Sequence, residues 1–144
     1  MKFRFKLETV LKIRKHEEEL QKQKLGVIMQ RKQLINSRLQ KIQSVMTEMN
    51  DQYLSKSQMD VRNLRGYYAS LQDKQEVIWD LRQQLAETDK EIIKQRNVLL
   101  EANRKTQMLE KLKSKALLTF VQEMDRKEQV ELNEMATQKY NHSN

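Results

Sequence analysis

Large aliphatic residues recur every seven positions in the second half of the chain: Leu64, Leu71, Ile78, Leu85, Ile92 and Leu99. Seven residues fall slightly short of two ideal helical turns, so such a row keeps to one face only where the helix winds around a partner. One helix cannot bury that row alone. Beside it lies a second row, Tyr67, Lys74, Leu81, Thr88, Gln95, Ala102, Leu109 and Ala116, which is polar in its middle and small at its end. The resulting seam is narrow. Leu112, Leu117, Phe120, Met124 and Val130 carry the apolar content further, at a spacing nearer 3.6 than 3.5 residues.

The first half repeats the pattern. One row reads Leu11, Glu18, Leu25, Lys32, Leu39, Met46 and Tyr53, and the other reads Leu7, Arg14, Gln21, Ile28, Ile35, Ile42 and Met49. Together they form the a/d seam of a heptad repeat, broken by Lys32 and, nearer the start, by Arg14, Glu18 and Gln21. Polar groups in a seam cost stability when buried unpaired. These four are therefore either partly exposed near an open end or turned toward a partner. Glu17-Glu18-Glu19 reads as a solvated run. Before Leu7, the alternation of Lys2, Phe3, Arg4, Phe5 and Lys6 has the period of a short strand, but it gives way at once to the helical period.

Between the two seams the pattern weakens. Ser55 to Asp60 lacks large aliphatics, and Ser57 and Asp60 have a spacing close to that of a capping box, with Asp60 itself a candidate N-cap. The expected architecture is all-α: an antiparallel two-helix coiled-coil hairpin with a longer C-terminal helix, in a single domain over residues 1–144. Helix 1 is expected over about 7–54, the turn over about 55–62 and helix 2 over about 63–138, boundaries of this kind being good to a few residues. Folding about residue 59 sets Leu39 level with Ile78, Ile28 near Lys90 and Ile92, and Leu7 near Leu109 and Leu112. Residues beyond about 114 then overhang the first helix, and the last six are expected to fray. A continuous helix pairing with a second chain is the alternative.

Composition supports thin helices over a thick core. The 144 residues include no Pro, two Gly and no Cys, with 38% hydrophobic and 33% charged. Neither a disulfide framework nor thiolate chemistry is available, and a reducing compartment fits. No apolar run approaches the roughly 20 residues that cross a bilayer, and the first residues do not read as a signal peptide. The net charge of +8 resides in the first third, where residues 1–41 carry 12 Lys and Arg against 4 Asp and Glu. An acidic partner for that region follows. Elsewhere the charges are mixed and no nucleic-acid motif appears. Membrane-surface binding through Phe3 and Phe5 is a weaker reading. His16 and His142 lack metal-ligand spacing, no Gly-rich phosphate loop is present, and a hairpin offers no pocket for perturbing a pKa. The expectation is a protein that is not an enzyme, with no cofactor, metal or small-molecule substrate.

The run Lys2-Phe3-Arg4-Phe5-Lys6-Leu7-Glu8-Thr9-Val10-Leu11-Lys12-Ile13-Arg14 resembles the opening of the flagellar export protein FliJ family. The surroundings of Tyr67, Tyr68, Leu71 and Ile78 agree, as does the stretch from Ala102 and Arg104 through Leu109-Glu110-Lys111-Leu112-Lys113 to Arg126 and Glu134. The resemblance implies a non-enzymatic stalk, similar to that of rotary ATPases, in the flagellar type III export apparatus. It implies insertion into the hexameric export ATPase, promotion of that ATPase's assembly and activity, and contact with the cytoplasmic domain of the export gate protein. Some members also bind export chaperones. The implied location is the bacterial cytoplasm, peripheral to the membrane at the flagellar base through its partners. Candidate ATPase contacts are Arg4, Lys12, Arg14, Lys15, Arg126 and Lys127. Candidate gate contacts are Met46, Met49, Tyr53, Tyr67, Tyr68, Leu71 and Trp79, of which Tyr68 and Trp79 fall outside the seam rows. A virulence-type secretion stalk and a generic coiled-coil scaffold or dimerisation protein are the competing readings.

Overall fold

The computed structural model describes residues 2–56 and 60–143, the last without its side chain. It contains two helices, α1 over Glu8–Ser55 and α2 over Val61–Ser143, and no strand among the described residues. Both are long because nothing interrupts them: the chain has no Pro, and Gln, Lys, Leu, Glu and Arg all favour the helix. Lys139 to His142, expected to fray, remain helical for the same reason. At the start of α2 the Asp60 carbonyl accepts from the Leu64 amide at 2.9 Å, which puts Asp60 at the N-cap position. The Ser57 half of the anticipated capping box, and the centre of the anticipated turn, lie outside the described residues.

The chain divides into two compact units. One joins the residues up to Glu19 to those from Leu100 onward, and the other is Leu20–Leu99. Each contains a stretch of α1 running antiparallel to a stretch of α2. In the first unit Glu8 meets Lys113, Lys15 meets Glu110 and Glu18 meets Asn103. In the second, Gln21 meets Gln95, Arg31 meets Glu91, Lys32 meets Asp89 and Asn50 meets Tyr67. A fold about residue 59 would set Glu8 opposite Glu110 and Lys32 opposite Ala86. For Glu8, Lys32 and Arg31 the observed ionic partners lie three or four residues further along α2, about one turn, and for Lys15, paired with Glu110 at 3.7 Å, seven. Helical side chains lean toward the N-terminus of their own helix, so in an antiparallel pair long side chains meet beyond the level of their Cα atoms. The shorter Asn50 side chain stays near the expected level.

Protection from solvent follows the two seams. In α1 it falls on Leu11, Arg14, Glu18, Gln21, Leu25, Ile28, Lys32, Ile35, Leu39, Ile42, Met46, Met49 and Tyr53, in alternating steps of three and four. In α2 the same alternation runs from Leu64 through Leu99 and continues through Ala102, Thr106, Leu109, Lys113, Ala116 and Phe120. The seam does not loosen after Leu109. It passes through Thr106 and Lys113, while Leu112, Leu117 and Val130, expected to carry it, are exposed. The stretch beyond about 114 does overhang α1, whose first residue, Glu8, meets Lys113. Residues ahead of α1 cover Ala116 and Phe120, and full exposure begins after Met124. The deepest residue is Leu11, at 1% exposure in the first unit, and Ile35, Leu81 and Ile92 are buried in the second.

Polar residues inside the seam are matched within the chain. Asn103 Nδ2 donates to Glu18 Oε1 at 2.8 Å. Gln95 Nε2 donates to Gln21 Oε1 at 2.7 Å and to its carbonyl at 3.2 Å. Lys32 Nζ lies 2.8 Å from Asp89. Buried Thr88 and Thr106 satisfy their hydroxyls on the carbonyls of Gln84 and Ala102, one turn back. Glu18 is thus a half-buried seam residue and not part of a solvated run.

Candidate functional site

The candidate residues sort into the two units. Arg4, Lys12, Arg14, Lys15, Arg126 and Lys127 all belong to the first, and Met46, Met49, Tyr53, Tyr67, Tyr68, Leu71 and Trp79 all belong to the second.

In the first unit, Arg14 pairs with Glu17 at 3.1 Å and Lys15 with Glu110 at 3.7 Å. Both pairs are solvent-exposed, and such pairs contribute about 0–1 kcal/mol, so their cations stay available to a stronger acidic partner. Arg4, Lys12, Arg126 and Lys127 are exposed and form no ion pair with another described residue. Glu8 opens α1, where a negative charge favours the helix dipole. The hydrogen bond from the Lys113 ammonium, 2.9 Å from its Oε2, holds the Glu8 carboxyl below the usual carboxylate range against an opposing desolvation, with lesser help from the charges of Lys113, Lys12 and Lys15. From Asp125 to His142 every residue is exposed, with Val130, Leu132 and Met135 among them. A helix whose apolar residues have no cover needs another surface.

In the second unit, Tyr53 and Tyr67 stack at 4.5 Å between centroids, and Tyr68 meets Tyr67 edge-on at 5.7 Å. The Tyr67 hydroxyl makes a long, 3.4 Å contact to Asn50 Oδ1. Met46, Met49, Tyr53, Tyr67 and Leu71 are half-buried in the seam, so most of their surface is already used. Tyr68 and Trp79 are different, at 59% and 64% exposure. Large aromatics held outside a seam are the usual anchors of protein interfaces.

Among the described residues, no cluster of three or more His, Asp or Glu is placed to hold a metal ion. Among the same residues, no helix is long and apolar enough to cross a membrane. The family model described as flagellar FliJ protein matches residues 2–144. The chain belongs to the FliJ family. It is a flagellar export-related protein, as its opening residues suggest. Comparison with curated proteins and with solved structures returns no significant match.

Sequence reasoning about this FliJ-family chain missed three things. Asn103 and Gln95 are the partners of polar seam residues in α1, and the signal was present as amides opposite an acid and an amide. Lys113 was passed over because hydropathy scores a lysine as solvent, although its stem lies in the seam and its ammonium reaches Glu8. The aromatic contact of Phe3 with Phe120, at 5.6 Å, was signalled only by the Lys-Phe-Arg-Phe-Lys alternation.

Proposed function

We propose that the chain is an antiparallel coiled-coil stalk, without catalytic activity of its own, that inserts into the hexameric flagellar export ATPase and links it to the cytoplasmic domain of the export gate protein. The observation that supports this most is the division of labour between the units. The first unit carries Arg4, Lys12, Arg126 and Lys127, exposed and without an ion pair to another described residue, together with the exposed helix after Met124, and the other carries the exposed Tyr68 and Trp79. Arg4, Lys12, Arg126 and Lys127 meet acidic surfaces of the ATPase, and Arg14 and Lys15 exchange their weak internal pairs for the same surfaces. A single stalk in a six-fold ring touches the protomers unequally. Where it binds their conformations with different affinity, it biases them and promotes assembly and turnover. Tyr68 and Trp79 anchor the gate contact, and Met46, Met49, Tyr53, Tyr67 and Leu71 support it from the seam. The protein works in the cytoplasm at the flagellar base, attached to the membrane through its partners, and export chaperones are a further class of partner.

Calorimetric binding to each partner separates the two surfaces. Lys12→Glu with Lys127→Glu is expected to weaken binding to the ATPase and leave the gate domain alone. Trp79→Ala with Tyr68→Ala is expected to do the reverse. Equal effects of both pairs on both partners would refute the division.

A further inference from the structure

Residues 2–5 precede α1 and are not helical. Their alternation sends side chains to opposite sides: Phe3 and Phe5 are half-buried, and Lys2, Arg4 and Lys6 are exposed. Phe3 packs on Phe120 of α2 with ring centroids 5.6 Å apart. At the first residue of α1, the Glu8–Lys113 ion pair ties the base of this arm to the same stretch of α2. An open groove of about 960 Å³ runs along the arm. Leu112, Ala116 and Phe120 supply its apolar floor, Lys2, Arg4 and Lys6 its basic rim, and Glu123 one acid at its end.

We propose that this groove seats an acidic amphipathic segment of a partner protein. Its carboxylates meet Lys2, Arg4 and Lys6, and its apolar side lies against the exposed Leu112 and the surface of Ala116 and Phe120 that the arm leaves open. Phe3 and Phe5 are positioning residues: docked on α2, they hold three cations in one row before the partner arrives. Alternate residues of an extended chain are roughly 6.5 Å apart, close to the roughly 5–6 Å between side chains three or four apart on a helix. The row therefore suits carboxylates at regular spacing. None of the three bases is paired with another described residue, so no internal contact is lost on binding. Pre-organisation matters here because a free, flexible arm would have to be ordered during binding. A lipid surface is the poorer partner, because the two aromatic side chains that would enter a bilayer are turned onto α2 instead.

The proposal depends on the ATPase reading only for which protein supplies the segment. A fluorescein-labelled helical peptide with glutamates flanking a leucine row is titrated into the full chain and followed by anisotropy. Binding is expected, with loss of affinity as salt is raised from about 50 to about 300 mM and the Debye length shrinks. Lys2→Gln, Arg4→Gln and Lys6→Gln together should abolish it. Phe3→Ala with Phe5→Ala, which keeps every charge, should weaken it at least about tenfold, as loss of interface anchors does, and Phe3→Leu with Phe5→Leu should restore most of it. Circular dichroism verifies that each variant is folded. Equal binding by the Phe→Ala variant would overturn the positioning role. Binding to vesicles containing phosphatidylglycerol without binding to the peptide would overturn the partner class. Failure of the peptide to bind while the chain still stimulates the ATPase would sink the groove and spare the ATPase reading; binding without stimulation would do the opposite.

Discussion

The glutamine pair in the second unit provides a sharp test of how the two helices recognise each other. Gln95 gives its amide to both the side chain and the carbonyl of Gln21, at 2.7 and 3.2 Å. Gln95→Leu removes one donor and strands the Gln21 Oε1, while the Gln21 carbonyl keeps its bond within α1. An unsatisfied buried acceptor costs about 1–3 kcal/mol, but both glutamines are half-buried and water reaches part of the site. We expect about 1 kcal/mol of destabilisation. Gln21→Leu alone leaves Gln95 its bond to the carbonyl and should cost less. The double change removes both amides and brings two leucines together beside Ile92 and Leu99. At roughly 25 cal/mol per Å² of apolar surface, burying about 50 Å² of added apolar area contributes about 1 kcal/mol. The double variant should therefore be more stable than either single one, with a coupling of about 2 kcal/mol, within the range for residues in contact. Urea unfolding followed by circular dichroism measures it. If the single changes are additive, the two amides do not bond across the seam and the pairing of α1 with α2 at this level is wrong.

Other consequences are simpler. Leu11→Ala, at the most buried position, should destabilise by about 2–3 kcal/mol, the low end of the range because a thin unit can close around the gap; thermal melts verify this. Gly26→Ala and Gly66→Ala should each stabilise by about 0.5–1 kcal/mol, since both sites are helical with nothing within 4 Å of an added Cβ. Glu8 titrates below its ordinary value of 4.5 because of Lys113, so its contribution to stability is present above that value and is lost as the pH falls through the lowered one. Carboxyl resonances in an NMR titration should show the shift, and Lys113→Gln should return Glu8 toward its ordinary value.

The heptad rows were legible because large aliphatics mark them. Leu25 through Tyr53 and Leu64 through Leu99 lie where the spacing puts them. The continuation through Thr106 and Lys113 was not legible, since a threonine bonded to its own helix and a lysine stretched toward a glutamate both enter a seam without looking apolar. The exposed leucines at 112 and 117 misdirected the reading for the converse reason: single apolar residues on a helix surface are common. The arm ahead of α1 looked like the start of a strand because an extended chain has the same two-residue period when it lies on a helix as when it lies in a sheet. The basic character of the first third was legible from charge alone. Its internal pairing of Arg14 and Lys15 with acids needed coordinates, because one partner comes from nearly a hundred residues away in sequence.

The account stands most directly on ATPase turnover measured while the intact chain is titrated into the cognate hexameric export ATPase. Saturable stimulation at about one chain per six ATPase subunits, lost with Lys12→Glu and Lys127→Glu, is the predicted result for a single stalk in a ring. Turnover and assembly that stay unchanged at every ratio, with a chain shown to be folded, would contradict it.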